Sequence, residues 1–198
     1  MHQKREKVDL ELTPRITMMM ENEKMNFSKK KVLIAYFSKK GENWYLNGLT
    51  DLAKGNTEIF AETIAKLTGG DLFEIEAKKA YPDSYKECCD VAKDEYKAKA
   101  RPELLNHHEA KDYDVIFVGW PCWWGTMPMP VYTWLEEVNR LSGKIAIPFE
   151  TNEGSGWGKG EKDFALELKE AKVMPGLQMR GHEVKTAEAS IKKWLENL

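Results

Sequence analysis

The first residues that could do chemistry surround the start of a predicted helix. Ser38-Lys39-Lys40-Gly41 follows a buried strand, and Gly55-Asn56-Thr57 stands at the mouth of the helix. A helix start offers unpaired backbone N–H groups and a partial positive charge, glycine lets the backbone approach closely, and hydroxyls donate hydrogen bonds. This combination suits a phosphate monoester. The alternative interpretation is an ordinary helix that is capped by Asn56 or Thr57.

A second loop, Trp120 to Pro130, holds three tryptophans within five residues, at positions 120, 123 and 124. Flat aromatic rings stack on flat ligands, and the indole N–H can still find a hydrogen-bond partner. Pro128 and Pro130 stiffen the loop. The pattern favours a planar ligand, and the alternative is a hydrophobic plug beneath the next helix.

The third loop, Glu150 to Gly160, is rich in glycine and polar residues. Its Gly158-Lys159 pair lacks the spacing of a triphosphate-binding loop, and the dinucleotide pattern G-x-G-x-x-G also fails. Backbone donors and acceptors in such a loop could meet the edge of a ring. Surface flexibility explains the composition equally well.

Alternating strands and helices must position these loops. The sequence predicts strands at 32–37, 72–76, 115–120, 144–149 and 173–177, the last of them weak and at a sheet edge because it contains a proline. Helical patterns follow each strand. Five such alternations predict a three-layer αβα sandwich with a parallel sheet. Ligands bind such sheets beyond the carboxyl ends of the strands, where all three loops are expected.

The composition of the chain indicates its domain organisation and argues against several classes of protein. Residues 1–28 show no sustained period and are interpreted as a flexible N-terminal extension, and residues 29–198 as the folded domain. The formal net charge is −2, so the chain lacks the excess of basic residues that is typical of nucleic-acid-binding proteins. No apolar run approaches the ~20 residues of a membrane span, and sparse cysteines without a signal peptide lead us to expect a cytoplasmic protein. We expect no metal site, since His107-His108 lacks partners at ligand spacing.

At this point the sequence resembles the flavodoxin-like superfamily, and most closely its short bacterial branch with an aromatic second loop. The resemblance covers residues 31–198, and the W-W-G-x-x-P stretch is its most specific element. It implies a five-stranded parallel sheet in the order 2-1-3-4-5 and one non-covalently bound FMN. The matching stretches are Ile34–Ser38, Gly55–Thr57, Gly70–Ile75, Pro121–Pro128 and Pro148–Thr151 with Gly154–Gly156.

The same resemblance assigns residues to the cofactor. Residues at the helix mouth would hold the phosphate: Ser38, Gly55, Asn56 and Thr57. Residues of the second loop would line the isoalloxazine ring: Pro121, Cys122, Trp123, Trp124 and Gly125. Residues of the third loop would close its other side: Thr151, Asn152, Gly154, Ser155 and Gly156.

The phosphate loop departs from the family pattern S-x-T-G-N-T. Lys40 occupies the hydroxyl position and is therefore a further candidate for cofactor binding. Residues 42–54 are inserted before Gly55, so either Gly41 or Gly55 could be the family glycine. The inserted aromatic pair Trp44-Tyr45 is expected to pack on the surface, and the alternative is that it covers the flavin.

The resemblance implies an electron-transfer protein that uses FMN to exchange electrons with a partner protein. A close alternative is an NAD(P)H-dependent reductase of quinones or similar small acceptors, and a third is a binding module that has lost the flavin. An acidic neighbour such as Glu150 or Glu153 would disfavour the doubly reduced anion of FMN and lower its second reduction potential.

Overall fold

A parallel sheet forms the centre of the computed structural model, which describes residues 24–46 and 48–198. Most of the predicted N-terminal extension, residues 1–23, lies outside the described residues. Its last part packs on the domain: Met25 and Phe27 contact a core cluster, and the Phe27 and Phe117 ring centroids are 5.8 Å apart.

The sheet has the predicted topology. Strands are numbered in chain order, and β2 (Gly41–Tyr45) and β3 (Gly48–Leu52) form a separate hairpin. The strands of the main sheet are β1 (Val32–Tyr36), β4 (Asp71–Glu74), β5 (Val115–Pro121), β6 (Ile145–Asn152), β7 (Lys172–Val173) and β8 (Leu177–Arg180). All pairs are parallel, in the order β4-β1-β5-β6, and both β7 and β8 pair with β6. Counting β7 and β8 as one interrupted strand, the order is 2-1-3-4-5, which confirms the prediction.

Helices cover both faces of the sheet because its central strands are apolar on both sides. The helices are α1 (Asn56–Thr68), α2 (Tyr85–Ala98), α3 (Met129–Glu137), α4 (Gly160–Glu167) and α5 (Glu188–Leu195). Alternate residues of β1 enter two separate core clusters. Leu33 packs with residues of α3 and α4, and Ile34 packs with residues of α1 and α5. The three-layer αβα sandwich is therefore confirmed.

The last strand differs from its prediction over 173–177. Pro175 and Gly176 interrupt it and leave β7 and β8 as separate short strands. Proline has no N–H for the ladder, and Gly176 lies so close to β6 that an added Cβ would be 2.6 Å from the Pro148 carbonyl oxygen. The strand is therefore interrupted at this point.

The insert forms an antiparallel hairpin outside the main sheet. Its strands are β2 (Gly41–Tyr45) and β3 (Gly48–Leu52), with Trp44 opposite Leu49. The sequence predicts an insertion over residues 42–54 but no structure for it. Three residues, 38–40, separate the hairpin from the predicted first strand, so the hairpin lies beside the first loop.

Gly119 of β5 offers a test of the packing between neighbouring strands. An added Cβ would lie 2.1 Å from Phe149 Cζ, so Gly119→Ala forces the buried ring to move. We expect a loss of about 1–3 kcal/mol in the free energy of unfolding, measured by urea denaturation. Gly48→Ala is the control, because no described heavy atom lies within 4 Å of its Cβ position. Equal stability of the two variants would contradict the packing argument.

Candidate functional site

A cavity of about 450 Å³ opens at the carboxyl ends of β1, β5 and β6. The three predicted loops all contribute to its lining. Among the residues predicted to bind the cofactor, eight line it: Asn56, Pro121, Cys122, Trp123, Trp124, Thr151, Asn152 and Ser155. The register of the sheet explains why the second and third loops meet, since Pro121 lies beside Thr151 and the Cys122 N–H donates to the Thr151 carbonyl at 2.8 Å.

The helix mouth is built by a close approach of Gly55 to Ser38. An added Cβ on Gly55 would lie 2.1 Å from Ser38 Oγ, and that oxygen accepts the Glu58 N–H at 3.1 Å. The N-cap of α1 is Gly55, with no side-chain hydrogen bond. The alternative of a side-chain cap from Asn56 or Thr57 is therefore wrong.

Thr57 and Asn56 serve different purposes at this helix start. Thr57 is buried, and its Oγ1 lies 2.7 Å from Thr151 Oγ1, so it joins the first loop to the third. Asn56 lines the cavity, and its buried Oδ1 has no hydrogen-bond partner among the described residues. Because an unpaired buried acceptor is costly, a ligand hydroxyl or N–H at this position would be stabilised.

Several residues that were predicted to bind the cofactor do not line the cavity but support the loops around it. At the helix mouth these are Ser38, Gly55 and Thr57. Gly154 and Gly156 donate their N–H groups to Asn152 Oδ1 at 2.8 Å and 3.2 Å. The Gly125 carbonyl accepts the Lys159 N–H at 2.6 Å.

Lys40, the candidate at the hydroxyl position, is exposed and does not line the cavity. Its neighbour Lys39 does, with its Nζ donating to the Lys40 carbonyl at 2.6 Å. Lys39 is therefore the cation of the first loop that faces a ligand in this cavity.

The three tryptophans of the second loop separate into two classes. Trp120 is fully buried and packs on Phe164 of α4, so it belongs to the core and does not line the cavity. Trp123 lines the cavity and meets Phe37 edge-on at a centroid distance of 5.1 Å. Trp124 is 46% exposed and donates its indole N–H to the Cys89 carbonyl at 3.0 Å.

Sequence reasoning misses several residues that the hairpin and α2 bring to the cavity: Glu42, Asn43, Tyr85, Cys88 and Cys89. It expects Trp44-Tyr45 to pack on the surface, but Trp44 lines the cavity. The helical stripe Tyr85, Cys88 and Ala92 was a usable signal, because it predicts one buried face of α2. The stripe does not reveal that this face lies against a cavity.

Two acidic residues of the third loop have different surroundings. Burial raises the pKa of the Glu150 carboxyl to about 8, and the hydrogen bond from Trp120 Nε1 at 2.8 Å offsets only part of that effect. Glu150 is therefore mostly neutral at pH 7, contrary to its expected role as an anion beside the ring. Glu153 lines the cavity and lies 2.7 Å from His182 Nδ1.

Two further features are absent from residues 24–46 and 48–198. No group of three or more His, Cys, Asp or Glu side chains there could hold a metal ion. None of the helices in the same ranges is long and apolar enough to cross a membrane.

Comparisons with known proteins identify relatives of the chain. A family model described as flavodoxin matches residues 31–198. No curated protein matches the chain. A provisionally assigned flavoprotein from Bacteroides eggerthii, of known structure, is 27% identical with a TM-score of 0.66, and the match covers 85% of this chain and 97% of that one. A flavoprotein from Lactobacillus acidophilus, crystallised with FMN, is 21% identical with a TM-score of 0.60. That match covers 81% of this chain and 99% of the Lactobacillus chain.

The environment of Glu150 generates a prediction about pH. Since the pKa of the carboxyl rises from 4.5 to about 8 on folding, the unfolded chain releases this proton first, and the free energy of unfolding falls as pH rises between those values. Glu150→Gln removes this loss. We expect the stability of the variant relative to wild type to increase by about 1–3 kcal/mol from pH 5 to pH 8, measured by urea denaturation.

The matched control for this pH series is Glu196→Gln, an exposed carboxyl near the C-terminus. Its stability relative to wild type is expected to stay constant over the same range. A flat difference for Glu150→Gln as well would show that Glu150 is ionised in the folded protein at neutral pH.

Proposed function

Because the chain belongs to the flavodoxin family, we propose that it binds FMN non-covalently at the carboxyl edge of its sheet and transfers electrons through it. One observation carries this proposal: the helix mouth at Asn56 and the tryptophans at 123 and 124 line the same cavity. A helix start suited to a phosphate and aromatic rings suited to a planar group therefore line one cavity, which supports a flavin mononucleotide as its ligand.

The residues present fit the cofactor. The N–H groups at the start of α1 would hold the phosphate, because a helix start stabilises an anion. Ser38 and Gly55, which do not line the cavity, would fix the shape of this helix mouth through their close approach. The unpaired Asn56 Oδ1 would accept a hydrogen bond from a hydroxyl of the ribityl chain. The second and third loops would enclose the ring. When bound, FMN supplies the reversible uptake of electrons, and the protein orients it and sets its potential.

An absorption titration tests this proposal directly. We expect the full chain to be yellow on purification, or to take up added FMN in a one-to-one ratio with quenching of flavin fluorescence. Gly55→Ala is expected to raise the Kd for FMN at least about tenfold, because the added Cβ displaces Ser38 Oγ.

Gly48→Ala controls for the general effect of a methyl group on this part of the chain, and circular dichroism checks that both variants fold. Unchanged affinity in Gly55→Ala would show that the phosphate lies elsewhere. A wild-type protein that binds no FMN would support the third interpretation, a flavin-free binding module.

A second candidate function is NAD(P)H-dependent reduction of small acceptors. One observation favours it: the cavity extends past the three loops to the hairpin and α2. A one-electron carrier between proteins needs no such pocket, because its flavin edge meets the partner directly.

Anaerobic stopped-flow mixing of the FMN-loaded protein with NADPH or NADH distinguishes the two functions. If the chain is a reductase, we expect rapid loss of the visible absorbance of the flavin, with an observed rate that saturates with nicotinamide concentration. Free FMN at the same concentration is the control. Bleaching no faster than that of free FMN would leave the carrier as the function of this chain.

A further inference from the structure

The hairpin (residues 41–52) interrupts a loop whose two ends remain adjacent. Beyond the hairpin the chain returns so closely to its starting point that an added Cβ on Gly55 would lie 2.8 Å from the Lys39 carbonyl oxygen. The helix mouth is therefore complete without the hairpin. The inserted residues are available for another role in the same cavity.

Specific contacts fix the hairpin against α2. Glu42 Oε2 accepts the N–H of Tyr85, the first residue of α2, at 2.7 Å. A carboxylate at a helix start is stabilised by the partial positive charge there. Asn43 Nδ2 donates to the carbonyls of Lys39 and Gly41, both at 3.0 Å. These bonds hold the base of the hairpin in one position.

The opposite side of the hairpin approaches the turn after β8. The Tyr45 ring meets His182 edge-on at a centroid distance of 6.1 Å. His182 is in turn held by Glu153, which accepts its backbone N–H at 3.1 Å and lies 2.7 Å from its ring Nδ1. The hairpin thus lies between α2 and the third loop and forms a wall beside the cavity.

The wall presents aromatic surface and hydrogen-bond donors. Trp44 and Tyr85 both line the cavity, with ring centroids 6.5 Å apart, and Trp44 is 46% exposed. Burial, followed by the nearby Cys89 side chain and its hydrogen bond with the phenol, raises the pKa of Tyr85 to about 12, so the phenol keeps its proton at pH 7. Lys39 lines the same cavity, and its Nζ donates to the Lys40 carbonyl at 2.6 Å.

We propose that the hairpin and the start of α2 form a subsite for a planar aromatic carbonyl compound of the quinone class, with Trp44 and Tyr85 as its specificity-determining residues. Aromatic rings stack on such a molecule, and its carbonyl oxygens accept hydrogen bonds but donate none, which matches the donors available. The proposal rests on the FMN-binding function above. Its reaction balances with a nicotinamide as reductant: quinone, NADPH and one proton yield hydroquinone and NADP⁺.

Binding of duroquinone to the oxidised, FMN-loaded full chain tests the subsite without turnover. The fully methylated ring of this quinone leaves no position open to addition by the thiols of Cys89 and Cys122. We expect saturable binding by isothermal titration calorimetry, and a Kd at least about fivefold higher in Trp44→Ala and in Tyr85→Leu. Leu46→Ala, an exposed apolar residue of the same hairpin outside the cavity lining, is expected to bind as wild type does.

A deletion variant separates this subsite from the cofactor site. Removing residues 41–54 joins Lys40 to Gly55 and restores an uninterrupted S-x-x-G-N-T loop. We expect this variant to retain its affinity for FMN within about threefold and to lose duroquinone binding. If it does not fold or loses FMN, the two point variants decide the outcome.

The results that overturn the inference differ from those that overturn the proposed function. Absence of duroquinone binding to FMN-loaded wild type, or unchanged affinity in both point variants, would refute the subsite while leaving FMN binding intact. Failure of the wild-type chain to bind FMN would instead refute the cofactor function.

Discussion

The hydrogen bond between the Thr57 and Thr151 hydroxyls determines how the two halves of the site face each other. Both residues are buried, so each hydroxyl would lose its water and carry a free-energy cost without a partner. Their 2.7 Å contact satisfies both and joins the start of α1 to the end of β6. The helix mouth and the third loop therefore keep a fixed separation, and the second loop is held beside them by the neighbouring strand β5.

The architecture could be predicted because buried strands leave a direct sequence signal. The run 115–120 is apolar throughout and lies in the sheet centre, and the loops that follow such strands must meet at one edge. Whether an individual side chain is buried in the core or lines the cavity was less predictable. Trp120 and Trp123 have the same residue type in one segment, but only Trp123 lines the cavity, because Trp120 is still part of the buried strand β5 and Trp123 lies beyond its end.

Contacts between distant segments explain what the sequence could not reveal. Glu42 and Tyr85 are joined by a hydrogen bond, yet nothing in the residues near either one indicates the other. The apolar stripe of α2 predicts which face is buried but not that a ligand cavity lies against it. The pKa of Glu150 is another such case, since a carboxyl in a polar, glycine-rich segment gives no sign that it turns inward towards Trp120. Glu150 does not line the cavity, so Glu153 is the acidic residue of the third loop that does.

The hairpin adds a wall to the cavity while the two ends of the loop that contains it stay adjacent. The entropic cost of lengthening a loop grows slowly with its length, provided that the ends stay in place. Here the close approach of Gly55 to Ser38 and Lys39 keeps them in place. The added residues are held by contacts with α2, with the turn after β8, and with the Lys39 carbonyl at the base of the hairpin. Changes in the hairpin can therefore alter the lining of the cavity while the geometry of the helix mouth stays the same.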